Sequence, residues 1–117
     1  MSILLVIALL RFSVLFAKED IKGVWLNPER TRSIRIYEHE GKFFGIMHWI
    51  GAPDPKLKTG QIILKGLVYK DGQFKNGQAF TPGYGWVSCE AKLTQGRLHL
   101  TGHLLGISRT RIFSRTE

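Results

Sequence analysis

From residue 21 onward, apolar and polar positions alternate with a period of two, and turn residues interrupt the pattern at short intervals. That alternation predicts strands over residues 23–27, 33–38, 42–50, 62–69, 73–74, 78–80, 86–93, 97–104 and 109–115. Glu38-His39-Glu40-Gly41 and Thr94-Gln95-Gly96 have glycine where a hairpin turn needs positive φ, and Lys70-Asp71-Gly72 carries the Asp-Gly hairpin signal. One long connector, residues 51–60, holds two prolines and two lysines that keep it out of a sheet interior. A second irregular stretch, Thr81-Pro82-Gly83-Tyr84-Gly85, precedes the strand at 86–93. No helical period of useful length follows residue 20. The expected fold class is therefore all-β: a single antiparallel up-and-down meander of about eight strands, closed into a barrel that leaves no exposed edge. Such a barrel is just wide enough to be filled by its own side chains or to hold one small ligand, and that alternative decides the function.

In the third strand, Phe44, Ile46, His48 and Ile50 share one face, and Phe43, Gly45, Met47 and Trp49 share the other. Both faces are largely apolar, so one lines the barrel and the other needs a cover, for which the Pro53–Pro55 loop is the nearest candidate. Gly23-Val24-Trp25 opens the first strand, and Arg109, Arg111, Phe113 and Arg115 share one face of the last. A tryptophan plugging one end of the barrel, with Arg115 or Arg111 across its ring, would join the chain ends by a cation–π contact of roughly 0.5–2 kcal/mol. Gly23, Trp25, Arg109, Arg111 and Arg115 are accordingly the expected closure residues. The competing reading is that three guanidiniums on one face bind an anionic group.

Residues 1–17 form a separate block: an apolar run from Ser2 to Leu10, a nearly apolar one from Phe12 to Ala17, then polar Lys18-Glu19-Asp20. This is the outline of a secretory signal peptide cleaved after Ala17, too short for a comfortable membrane span. Arg11 inside the run and the lack of a preceding Lys or Arg leave a retained anchor as the alternative. Residues 18–117 then form one barrel domain. Cys89 is the only cysteine, so no internal disulfide is possible, and its place between Val87 and Ala91 on the apolar face makes it a buried small hydrophobe.

Candidate chemistry is sparse. His99 and His103 share a strand face about 13 Å apart, too far to ligate one metal ion, so no metal site is expected. No acid–base pair, partnered nucleophile or Gly-x-Ser-x-Gly elbow is visible; no catalytic residue and no cofactor is expected. The 17 Lys and Arg against nine Asp and Glu are spread over many strands without interleaved aromatics, which argues against nucleic acid and for anionic envelope surfaces. His48, lying among apolar residues, is a candidate polar group inside a cavity. Trp49, Phe80, Tyr84 and Trp86 make an aromatic group beside the two irregular loops, suited to rim the barrel mouth and hold an apolar or sugar-like ligand.

Five segments in order resemble the DUF2147 family of small exported bacterial domains: Gly23-Val24-Trp25; Ile36 with Gly41-Lys42-Phe43-Phe44-Gly45-Ile46; Gly60-Gln61-Ile62-Ile63-Leu64-Lys65-Gly66-Leu67; the run from Gly77 to Ser88; and Ser108-Arg109-Thr110-Arg111-Ile112-Phe113-Ser114-Arg115. The departures cluster in the fourth, where Thr81, Trp86 and Ser88 replace the family's Asp, Lys and Tyr, with Ser108 and Phe113 replacing Gly and Trp in the last. The resemblance implies a lipocalin-like barrel and a periplasmic or secreted location, and it carries no settled activity. The expectation is a non-catalytic binding module for a small apolar or amphiphilic ligand. Its alternative is an envelope interaction protein with a packed barrel that binds anionic surfaces or a protein partner.

Overall fold

The computed structural model describes residues 21–116. The expected signal segment, residues 1–17, lies outside the described residues. The chain runs β1 (Gly23–Leu26), β2 (Arg32–His39), β3 (Lys42–Ile50), β4 (Ile62–Lys70), β5 (Gln73–Thr81), β6 (Gly85–Thr94), β7 (Arg97–Leu104) and β8 (Ile107–Arg115). Each strand pairs antiparallel with the next, and β8 returns to β1, so the sheet is a closed up-and-down barrel. The tight turns at 40–41, 71–72 and 95–96 gather with the start of β1 and the end of β8 at one rim, here the lower. The connections at 27–31, 51–61, 82–84 and 105–106 gather at the upper rim. Glu40-Gly41, Asp71-Gly72, Gln95-Gly96 and Leu105-Gly106 all have two positive φ angles in succession, the two-residue hairpin geometry that matches strand twist.

The interior is filled from the lower rim upward. Trp25, Ile36, Phe43, Leu67, Phe74, Leu98 and Phe113 point inward and are buried, and the Phe43 and Phe74 rings meet edge-on at 5.2 Å. Burying an aliphatic or aromatic side chain of this size stabilises the fold by about 1.5–3 kcal/mol, so this cluster is the main source of stability. Cys89 sits in the same core. Burial, and to a lesser degree the neighbouring Glu90 charge, pushes its thiol pKa up to about 12.

Three local irregularities depart from simple alternation. Met47 pairs with Ile34 and Trp49 with Ser33, which leaves His48 as an extra residue in β3. Met47 is buried beneath it and Ile50 again packs on the core, so His48 and Trp49 both fall on the outside. The pieces expected separately at 73–74 and 78–80 are one strand, β5. Its pairing with β4 lapses between Lys65↔Gln78 and Val68↔Lys75, where Gly66 and Asn76 both adopt positive φ. Gly77 faces inward there, and a Cβ on it would lie 2.5 Å from Leu67 Cδ2, so only glycine carries the strand through. Finally, β8 starts at Ile107 rather than 109, directly after the Leu105-Gly106 turn.

The cover of β3 also differs from expectation. Its outer face is screened by neighbours in the sheet: Phe44 stacks on Tyr37 of β2 at 5.8 Å, and Ile46 pairs with Ile62 of β4. The 51–61 connection instead sends Leu57 to the core.

Candidate functional site

The lower rim is shut. Trp25 lies on the barrel floor, its Nε1 donating to the Ile21 carbonyl at 2.8 Å. Arg115 lies across the ring with its guanidinium carbon 4.2 Å from the centroid, and its Nη1 donates to the Lys22 carbonyl at 2.8 Å. Gly23, with φ of 133°, lets the chain enter β1 beneath this stack. The Thr116 N–H donates to the Val24 carbonyl and completes the seam.

The upper rim is uneven. On the β1–β3 side it is tightly built: Asn27 Oδ1 accepts from the Thr31 and Arg32 N–H groups, fixing the β1–β2 turn. Arg32 donates from Nε and Nη2 to the Ala52 carbonyl, which ties the 51–61 connection to β2. The β7–β8 side is different. β1 is only four residues long, and it pairs with β8 at Trp25↔Arg115 and Leu26↔Ser114 alone. Above Ser114, β8 has no β1 partner among the described residues, while its pairing with β7 runs on to Leu104↔Ile107.

The inward positions of this taller hairpin follow from register. Val87 and Cys89 face inward from β6, Leu100, Gly102 and Leu104 from β7, and Ile107, Arg109 and Arg111 from β8. Leu100 and Leu104 are half-buried, and Ile107, Arg109 and Arg111 are exposed. A Cβ on Gly102 would meet only Val87 Cγ2, at 3.5 Å, an ordinary contact. From below upward this wall carries Leu100 with Arg111, then Gly102 with Arg109, then Leu104 with Ile107 at its tip, and it is open to solvent. Arg111 is held by an ion pair to Glu29 of the β1–β2 turn. Arg109 has no ion-pair partner among the described residues.

The residues expected to hold a ligand are not brought together inside. His48 is the bulged, outward residue of β3. Phe80 and Trp86 are a cross-strand pair, rings edge-on at 5.7 Å, on the outer face, because their neighbours Ala79 and Val87 take the inward positions. Lys65 lies over the Trp86 ring at 4.1 Å. Tyr84 sits in the β5–β6 turn and is 67% exposed. Trp49 is 47% exposed, its indole lying against Gly51, where a Cβ would come within 2.4 Å of Cη2. Of the closure residues, Arg115 makes the stack, whereas Arg109 and Arg111 stand at the opposite rim.

Three features of the outer wall escaped the reading of the sequence. A groove of about 510 Å³ opens across β3–β6 where the two positive-φ residues kink the sheet. A smaller one of about 130 Å³ lies across β5–β7 beside Glu90, Lys92 and His99. On β6–β8, His103 joins Ser108 Oγ through Nδ1 at 2.7 Å and Glu90 Oε1 through Nε2 at 3.1 Å. A two-residue turn at Leu105-Gly106 sets His103 opposite Ser108, so this contact follows once β8 is started two residues earlier. All three groups are on the convex wall, and neither groove is lined by Ser108 or His103. The trio acts as a polar clasp over three strands, with Glu90 also at the edge of the smaller groove. Among the described residues no group of three His, Cys, Asp or Glu side chains is placed to hold a metal ion.

No family model and no curated protein matches the chain. Among solved structures, protein HP1028 from Helicobacter pylori, described as belonging to the lipocalin family, is similar with a TM-score of 0.65 and 18% identity over 82% of each chain. The likeness shows the fold: this chain is a lipocalin-like, closed eight-stranded antiparallel barrel.

Proposed function

We propose that this protein is an exported, non-catalytic member of the DUF2147 type that binds a small apolar or amphiphilic ligand at the upper end of its barrel. One observation carries the reading: the inward face of β7–β8 is uncovered, with Leu100 below and Leu104 above a solvent-facing Arg109 that has no ion-pair partner among the described residues. Sites for small molecules are typically concave and mostly apolar with a few placed polar groups, and this wall has that composition. The apolar part of the ligand would lie against Leu100 and Leu104, and its anionic or polar group would meet Arg109, which stands between them opposite Gly102, in a charge-assisted contact. Arg111 already holds a carboxylate, that of Glu29, which illustrates the chemistry the rim accepts. The closed lower rim makes the upper end the only way in for a ligand among the described residues.

The test is native mass spectrometry of the protein purified from an exporting host, followed by organic extraction. A stoichiometric small molecule, lost in Gly102→Phe and weakened in Arg109→Gln, is the expected result. Gly102→Phe fills the space beside Val87 without touching the lower core. A clean ligand-free mass that stays unchanged after exposure to a lipid extract overturns the proposal, as does a bound molecule indifferent to both substitutions.

A further inference from the structure

We infer that the outer groove across β3–β6 is a second binding site, built for an acidic oligosaccharide. It lies on the opposite side of the barrel wall from Leu100 and Arg109, so it stands whether or not the upper end is occupied. It lies at the paired irregularity of Gly66 and Asn76, which opens the β4–β5 ladder. Bulges of this kind re-aim side chains and recur beside functional sites.

The lining is chemically one-sided. Lys42 and Lys65 contribute two ammonium groups, Asn76 and Gln78 two carboxamides, Ser88 a hydroxyl and Phe44 an aromatic ring. None of the lining residues is acidic, and neither lysine has a carboxylate partner among the described residues. The ammonium of Lys65 is held against the Trp86 ring rather than left to swing freely. Phe44 is likewise fixed by its stack on Tyr37. The groove thus presents immobilised positive charge, neutral groups that both donate and accept hydrogen bonds, and one flat apolar surface. A sugar acid matches each: its carboxylate meets an ammonium, vicinal hydroxyls pair with carboxamides, and the C–H face of a pyranose lies on a ring. Adjacent strands are about 4.8 Å apart, so β3 to β6 spans about 14 Å, room for a short oligosaccharide rather than a single sugar. A nucleic acid fits less well, since stacking bases need several open ring faces and the groove offers Phe44 alone.

The experiment is an NMR titration of the whole protein with trigalacturonate, with maltotriose and a trinucleotide of single-stranded DNA run alongside. Trigalacturonate should bind with shifts at the Asn76 and Gln78 side-chain amides, weaken with added salt, and bind at least about tenfold more tightly than maltotriose. Lys65→Gln and Lys42→Gln should each weaken it several-fold. Asn76→Gly keeps the left-handed backbone and removes only the carboxamide, so it should weaken binding while leaving the fold intact. Lys92→Gln, on the smaller groove, should change nothing. Absence of trigalacturonate binding, equal affinity for maltotriose, tighter binding of the trinucleotide, or shifts confined to residues outside the groove would each overturn the inference.

Discussion

Gly77 and Gly102 are both inward-facing glycines on central strands, yet alanine should have opposite effects at the two. Neither has positive φ, so backbone strain does not enter. At Gly77, an added Cβ would lie 2.5 Å from Leu67 Cδ2, 2.7 Å from Leu67 Cγ and 3.2 Å from Cys89 Sγ. Leu67 is fully buried and has nowhere to retreat, so it must leave its rotamer or shift β4. Overpacking of this kind costs about 1–3 kcal/mol. Replacing glycine restricts the unfolded chain and returns about 0.4–1 kcal/mol. Gly77→Ala should therefore destabilise by roughly 1–2 kcal/mol, lowering Tm on the order of 5–10 °C for a domain this size. At Gly102 the nearest atom would be 3.5 Å away, the overpacking cost vanishes, and the unfolded-state gain of about 0.4–1 kcal/mol remains. Urea unfolding followed by tryptophan fluorescence measures both, with unchanged m-values as the check that the same transition is read. Adding Leu67→Val to Gly77→Ala should recover part of the loss, a coupling that a double-mutant cycle isolates. A neutral or stabilising Gly77→Ala would refute the packed lower barrel. A strongly destabilising Gly102→Ala would refute the open upper wall.

Removing the guanidinium in Arg115→Ala takes away both the Trp25 stack and the bond to the Lys22 carbonyl, and should cost about 1–2 kcal/mol in the same assay, whereas Arg109→Ala should cost almost nothing. The Cys89 thiol should resist a thiol reagent at pH 8 in the folded protein and react at once in urea, because burial disfavours the thiolate. Its folded pKa of about 12 lies above the free-thiol value of 9.0, so the unfolded chain loses that proton first. Stability should accordingly hold below pH 9 and fall as the pH rises from 9 toward 12, a slope that Cys89→Ala reduces in urea titrations. Gly51→Ala should displace the Trp49 indole and shift its emission with little change in Tm, since the ring is half exposed.

The architecture was readable because its determinants are local. The three tight hairpins read from the sequence each have Gly at a position of positive φ, and the alternation between turns is regular enough to place β3 and β7 at their observed bounds. What failed was the assignment of faces, which depends on partners far along the chain. Whether His48 points in or out is decided by Ser33 and Ile34, opposite it on β2, where the register slips by one residue. Whether residues 73–80 make one strand is decided by Leu67, which takes the volume a side chain at Gly77 would need. Phe80 and Trp86 look like ligand-binding aromatics until Ala79 and Val87 claim the interior. The outer groove had no signature at all, because Lys42, Lys65, Asn76 and Ser88 meet only once four strands are in register.

Every strand pairing but one joins consecutive segments, and hairpins of this length form in about 1–10 µs. The exception, β1 with β8, links residues such as Lys22 and Arg115, which are 93 positions apart. The ring therefore cannot close until Ser114 and Arg115 have left the ribosome, and until then the barrel segment is at best an open sheet with a bare edge at each end. Closure is a late, single commitment governed by long-loop entropy. Loss of Ser114 and Arg115 would spare nearly all of the core while removing the step that turns a sheet prone to pairing with its neighbours into a sealed one.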